Sequence, residues 1–401
     1  MPKVKNKVEV LAGKKDLQVN RRSFQPFDPL ACDFLSSMSG ELMSDPLAKQ
    51  YPDVISFAYW CRRAHLLSMK EQFTDEYIRL GLGCVFHIAP SNVPINFAYS
   101  YAFSLLAGNA NVVRVPSKAF SQNSIVYHAL NRLFADQKYE AIAERSVFIR
   151  YEQDDEITGE LSADCDARII WGGDSTIHTI RKLPIPARSI DISFADRYSF
   201  CVIHSKSILQ ANEQELSRLA SKFYNDTFLM DQNACSSPHL IVWLGSNEEI
   251  TAAKHRFWHH LSMHTASKYD LQPVNAIDKY TTLCRHAIDL TEPRTITTHG
   301  NYIYRIHLKE LPSAIDSWRG KFGYFYEYNT EDLNSVAHIV TNKYQTLTYY
   351  GVDKSLLANF VLSNSLSGID RIVPVGQALD ISIIWDGYDL IRTLSRICDI
   401  Q

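Results

Sequence analysis

Residues 84–115 read CVFHIAPSNVPINFAYSYAFSLLAGNANVVRV. Two short β-branched runs, CVFHI (84–88) and NVVRV (111–115), flank INFAYSYAFSLLAG (95–108), which is long enough for a helix. Strand, helix and strand in so short a span predict two parallel strands joined by a helical crossover. The pattern continues outward. SVFIRY (146–151) and ARIIW (167–171) read as further strands, with helices over 121–136, 155–163 and 174–183. Such alternation implies an α/β fold whose parallel sheet is covered on both faces. A ligand is then expected beyond the carboxyl ends of the strands.

A second α/β unit begins near YSFCVIHS (198–205). It continues through a helical segment (210–230), the strand HLIVWL (239–244), a helix over 247–264, and strands in NYIYRIHL (301–308) and FGYFYEY (322–328). From TLTYYG (346–351) onward, strand and helix alternate again. A chain of 401 residues is too long for one ordinary core, so two closely packed domains are expected.

Apolar residues make up 46% and charged ones 21%, as in a globular protein. The net charge of −3 gives no reason to expect a nucleic acid or a membrane as partner, and no run approaches a membrane span. Eight cysteines (32, 61, 84, 165, 201, 235, 284 and 398) form no CxxC pair. They predict neither a zinc site nor a disulfide framework, and fit a reducing cytoplasm. The basic N-terminus (Lys3, Lys5, Lys7, Lys14, Lys15, Arg21 and Arg22) lacks the apolar core of a signal peptide, and 1–24 reads as a surface arm or edge hairpin.

The chemistry-bearing stretches lie at strand ends. In NDTFLMDQNACSSPHLIVW (225–243), Cys235 sits in a polar turn just ahead of an apolar strand, unlike Cys201 inside SFCVI. A thiol so placed is either a nucleophile or a small hydrophobe. Asn92 follows the strand 84–88 among Pro90, Ser91 and Pro94. Its amide can donate to a developing oxyanion, or cap the next helix. No GxGxxG occurs. AGNANVVRVPSK (107–118) places Gly108 and Asn109 before a strand, and Arg114, Ser117 and Lys118 at its carboxyl end. IIWGGDST (169–176) ends a strand in Gly172 and Gly173 before Asp174 and a helix. Helix amides there can meet a phosphate, or the two glycines form a plain turn.

Taken together, HIAPSNVPI, LAGNANVVRVPS, IIWGGDSTI, DRYSFCVI, DQNACSSP and GIDRIVPVG…WDGYDLIR resemble the aldehyde dehydrogenase superfamily. They look most like its acyl-CoA reductase branch, the LuxC-type fatty acid reductases. The resemblance runs from about residue 80 to the C-terminus and does not cover the first 75 residues. It implies an aldehyde dehydrogenase-like fold, with a Rossmann-like cofactor domain over 1–200 and an α/β catalytic domain over 201–365. Residues 366–401 would return to the cofactor domain or to an oligomer interface. It also implies that Cys235 is the nucleophile and Asn92 the oxyanion donor. Arg114, Ser117, Lys118, Gly172, Gly173 and Asp174 would face the cofactor.

Four departures bear on chemistry. Ser117 replaces a ribose-binding glutamate, and Gly320 and Lys321 stand where a nicotinamide-ribose glutamate is expected. Asp174 puts an acid near phosphates, which it repels unless it caps the helix. The general-base glutamate of hydrolytic relatives has no counterpart, since no glutamate occurs between residues 161 and 212. The resemblance therefore implies NADPH-dependent reduction of a fatty acyl-CoA or acyl-protein thioester to the aldehyde, through an acyl-cysteine. An acyl-protein synthetase partner and a homo-oligomer are further expectations. The alternatives are a non-catalytic acyl-transfer partner and NAD-dependent aldehyde oxidation. His87, His178 and His239 are read as packing or surface residues. RFWHHLSMH (256–264) lacks HExxH, so no metal site is expected.

Overall fold

The structure, a computed structural model, describes residues 7–90, 93–289 and 294–401. The chain forms two compact units. The first comprises residues 1–195 and 388–401, the second 196–387.

The first unit holds a six-stranded sheet. In chain order its strands are β1 (Glu9–Gly13), β3 (Cys84–Ile88), β4 (Ala110–Arg114), β5 (Ser146–Arg150), β6 (Ala167–Trp171) and β7 (Ile190–Phe194). β2 (Ile78–Gly81) stands outside this sheet and pairs antiparallel with the strand Ser395–Cys398. The spatial order is β1-β5-β4-β3-β6-β7. All neighbours are parallel except β1 with β5. β3, at the centre, is buried along its whole length. That is why its sequence reads as a nearly unbroken apolar run.

Gly108 and Asn109 have structural work. Gly108 has φ +93, and a Cβ there would lie 2.1 Å from the Phe24 carbonyl oxygen. The buried Asn109 amide accepts from Gly83 N–H and donates to the Ser104 and Leu394 carbonyls. Arg168, buried in β6, makes a two-pronged ion pair with Asp191 of β7 at 2.7 and 2.8 Å.

The second unit holds a seven-stranded sheet of β8 (Tyr198–His204), β9 (Pro238–Leu244), β10 (Arg294–His299), β11 (Ile303–Leu308), β12 (Tyr324–Thr330), β13 (Tyr344–Tyr350) and β14 (Arg371–Pro374). Its order is β10-β11-β12-β9-β8-β13-β14. Only β10 with β11 is antiparallel. One face packs against the helices Glu213–Thr227 and Asn247–Lys268. The other is covered by the segment around Leu311–Trp318, the turn Leu333–Ile339 and the helix Lys354–Ser363.

The extents differ from those expected from sequence. β14 pairs with β13, so residues 366–387 belong to the second unit and only 388–401 return to the first. Three helices, Pro29–Ser44, Pro52–Trp60 and Arg63–Gln72, fill an N-terminal region to which the sequence reading assigned no elements. Among the described residues no helix is long and apolar enough to cross a membrane.

Candidate functional site

Cys235 lies in the loop that precedes β9, at the amino end of that strand. The helix Glu213–Thr227 leads into a tight turn, Phe228–Met230, after which Asp231 (φ 53) and Gln232 (φ 61) are left-handed. Two successive non-glycine residues in that region are costly unless the surroundings fix them.

Here polar side chains of the loop and of β8 do so. The Gln232 amide is buried, donates to the Pro238 and Tyr324 carbonyls, and accepts from Gly323 and Tyr324 N–H. Ser199 Oγ donates to the Cys235 carbonyl at 2.6 Å and accepts from Thr346 N–H. Ser237 Oγ donates to the Asp226 carbonyl. Although the turn is polar in sequence, Gln232, Ser236 and Ser237 are buried.

The thiol is half-buried. Burial pushes it above its ordinary value, and the carboxylates of Asp196 and Asp386 add to that. The Arg197 backbone N–H and the Arg319 guanidinium work the other way. Both acids are engaged. Arg319 Nη1 donates to Asp196 Oδ1 at 2.8 Å. Asp386 accepts from the Gln345 amide and lies 3.7 Å from Arg197 Nη1. Arg197 also binds Asp370 and donates to the Lys343 and Tyr344 carbonyls. Asp196, Arg197, Arg319 and Asp386 were not among the site residues read from sequence. The only signal was that DRYSF, GIDRI and WDGY each supply one or two members of this network.

In the first unit, Arg114 ends β4, and Gly172, Gly173 and Asp174 follow β6. β4 and β6 flank β3 and run parallel to it, so these residues share the carboxyl edge of one sheet. Arg114 sits with its guanidinium carbon 4.7 Å from the centre of the Tyr151 ring, and its Nε is buried with no protein partner. Ser117 Oγ donates to the Tyr151 carbonyl at 3.2 Å. Lys118 is exposed, its Nζ 5.0 Å from the Phe120 ring centre. Gly172 N–H donates to the Phe194 carbonyl. Gly173 is the N-cap of the helix Asp174–Arg181, and a Cβ there would meet nothing within 4 Å. Asp174 is exposed in the first turn and does not occupy the cap position.

Among the described residues, this edge offers two cations and a helix N-terminus, a donor set suited to phosphate groups. Asn92 lies outside the described residues. The helix that follows it takes Ile95 as N-cap.

His87 and His239 pack. His87 is fully buried, its Nε2 within 3.0 Å of Asn111 Oδ1 and its Nδ1 within 2.8 Å of Ser100 Oγ. Trp171 Nε1 donates to the same Ser100 oxygen. Burial pushes His87 down to about 4, so it is neutral near pH 7. His239 is buried against the Tyr198 ring and pushed down to about 3. His178 is exposed. Among the described residues no cluster of His, Cys, Asp or Glu could hold a metal ion.

The sequence model of the acyl-CoA reductase (LuxC) family matches residues 62–397. The chain belongs to that family. It is 23% identical over 332 residues to a long-chain acyl-protein thioester reductase of Photorhabdus luminescens, with 80% of this chain covered. The chain spans 64% of that relative's own length. Its fold is aldehyde dehydrogenase-like. Methylmalonate-semialdehyde dehydrogenase from Oceanimonas doudoroffii superposes with a TM-score of 0.61 at 11% identity, covering 94% of this chain and 86% of that one. Lactaldehyde dehydrogenase from Escherichia coli does so with a TM-score of 0.61 at 12% identity, covering 91% and 85%. Cys235 and Arg114 are thus candidate site residues of a LuxC-family chain.

Proposed function

We propose that this protein reduces fatty acyl thioesters to aldehydes through an acyl-Cys235 intermediate. The observation that carries this reading is the thiol's setting: a cysteine fixed in a braced loop, with both acids that bear on it tied to other groups. The Cys235 thiol loses its proton to solvent, and its thiolate attacks the acyl carbonyl. The carrier's C–S bond breaks, and the carrier sulfur takes up a proton. Thioester exchange is close to neutral in energy and keeps the carbon electrophilic. When bound, reduced nicotinamide supplies the hydride that converts the acyl thioester to a thiohemiacetal oxyanion. The Cys235 C–S bond then breaks, releasing aldehyde and regenerating the thiolate. Asn92 and the Cys235 backbone N–H are proposed to hold the oxyanion in both halves.

The name of the Photorhabdus relative supports a protein-borne acyl group as substrate beside acyl-CoA. An acyl-protein synthetase as its source belongs to the same proposal. Self-association does too, and is supported by the exposed apolar side chains Val274, Ile277, Tyr280 and Ile288 on the helix Pro273–Asp289.

The test is the fate of the acyl group. With Asp196 and Asp386 engaged and no glutamate over 161–212, neither acid that bears on the thiol is free to activate water. Protein mixed with a long-chain acyl-CoA and no nicotinamide should accumulate an acyl adduct on Cys235, seen by intact-mass and peptide analysis. Free CoA should remove it, and NADPH should convert it to aldehyde. Rapid release of free carboxylic acid would mark a hydrolytic enzyme instead.

The cofactor is proposed to be NADPH. Arg114 and Lys118 are the residues that would hold its 2′-phosphate, to which Ser117 presents no negative charge. A charge-assisted contact of this kind is worth about 1.5–3 kcal/mol. Lys118→Ala should therefore lower kcat/KM for NADPH roughly tenfold while leaving that for NADH unchanged. An equal loss with both cofactors, or a wild-type preference for NADH, contradicts the assignment.

A further inference from the structure

The helix Pro273–Asp289 turns polar side chains inward. Its buried residues are Lys279 and His286. Lys279 Nζ donates to the Tyr302 and Phe322 carbonyls at 2.9 and 2.7 Å. His286 Nδ1 lies within 3.0 Å of the Tyr324 hydroxyl and 2.9 Å of that of Tyr326. These bonds fix how the helix is rotated about its axis. Apolar side chains are thereby held facing outward: Ile277 is 66% exposed, Tyr280 58% and Ile288 82%. A surface helix ordinarily does the opposite.

The outward residues are regularly spaced. Ile277, Thr281, Cys284 and Ile288 are exposed and follow one another at four, three and four positions, the a/d spacing of a heptad repeat. They form a stripe about 16 Å long, with the larger side chains at its ends and the smaller ones in the middle. Asp278 and Arg285, also exposed, border it on one side. With Asp289 they are the exposed charges of this helix, so it carries no basic excess to hold it on a lipid surface.

The stripe is complementary to itself. Laid antiparallel on a second copy, with Ile277 of one helix against Ile288 of the other, it places Thr281 opposite Cys284, and a twofold axis repeats both contacts. That register also sets Asp278 beside Arg285 of the second copy, twice. Sliding the pair by one heptad either way brings Asp278 against Asp278 or Arg285 against Arg285. A parallel pair sets Asp278 beside Pro273 and Arg285 beside Tyr280. Of these arrangements, opposite charges meet only in the first.

We propose that the helix Pro273–Asp289 docks antiparallel on the same helix of a second copy of this chain, Ile277 against Ile288 and Asp278 against Arg285. This deepens the self-association proposed above and rests on it. The seam is small beside the roughly 800 Å² per partner of a standard interface, so the dimer should dissociate on dilution.

Sedimentation velocity of the full chain across a concentration series reads the dimer. The wild type should pass from monomer to dimer as concentration rises. Ile277→Asp should raise the dissociation constant roughly thirtyfold or more. Asp278→Arg and Arg285→Asp should each raise it about tenfold, because each sets like charges together twice. The double variant should restore the wild-type value. Circular dichroism checks that each variant is folded; if Ile277→Asp is not, the charge variants decide without it. A wild type that stays monomeric overturns the proposal together with self-association. A dimer that survives Ile277→Asp overturns the proposal alone and leaves self-association to another face. Single charge variants that dimerise like the wild type, or a double variant no more dimeric than the single ones, overturn the antiparallel register.

Discussion

Cys235→Ala should abolish both the acyl adduct and aldehyde formation while the protein stays folded. The loop is braced by Gln232, Ser199 and Ser237, none of which bonds through the thiol. Removing one sulfur from a half-buried position is expected to cost about 1 kcal/mol of stability. Turnover should instead fall by on the order of 10⁵ or more, as when a covalent nucleophile is deleted. No described cysteine is set to replace it. Cys201 is fully buried in β8, where burial pushes its thiol up to about 12, and Cys284 lies exposed on the helix Pro273–Asp289. Aldehyde trapping, intact mass and a urea melt on one preparation separate the two effects. Wild-type turnover in the variant would remove the basis of the proposed function.

Much of the fold was legible because parallel strands buried on both faces must be apolar. CVFHI, ARIIW and HLIVWL show this, and each strand falls within a residue of its sequence-based position. β7 was hidden by its polar residues. Asp191 in IDISF reads as surface until its partner, the buried Arg168, is known. β10 and the helix Pro273–Asp289 carry no unbroken apolar run, and the helix points two polar residues, Lys279 and His286, inward. Lys279 is satisfied there by the Asn301, Tyr302 and Phe322 carbonyls, a long-range arrangement that no local pattern encodes.

Around the thiol the same limit applied. Cys235 stood out as a thiol among polar residues, but no local pattern says what those residues do. Gln232 is a brace bonding to residues more than ninety positions away. Arg197 meets Asp370 and Asp386 across similarly long separations. Motif spacing flagged these residues without saying that they form one electrostatic setting. Gly173 shows the reverse case. Neither its φ of −70° nor crowding requires glycine at this helix N-terminus.

Asn92→Ala should lower kcat by about 10²–10³, the usual loss when one preorganised oxyanion donor is removed. Asn92 follows β3 in the sequence, and β3 is the strand between β4, which ends in Arg114, and β6, which leads into Gly172 and Gly173. The competing role, capping the next helix, is weakened because Ile95 holds the N-cap position. A donor to the oxyanion serves both halves of the reaction, so adduct formation from acyl-CoA and aldehyde release from the preformed adduct should slow together. A cap would act differently: its loss would leave both rates in place and lower the melting temperature, by an amount equivalent to about 1 kcal/mol. Single-turnover rates for the two halves, measured beside a thermal melt, therefore distinguish the roles. A variant with reduced stability and an unchanged kcat would leave the proposed reaction without its side-chain oxyanion donor.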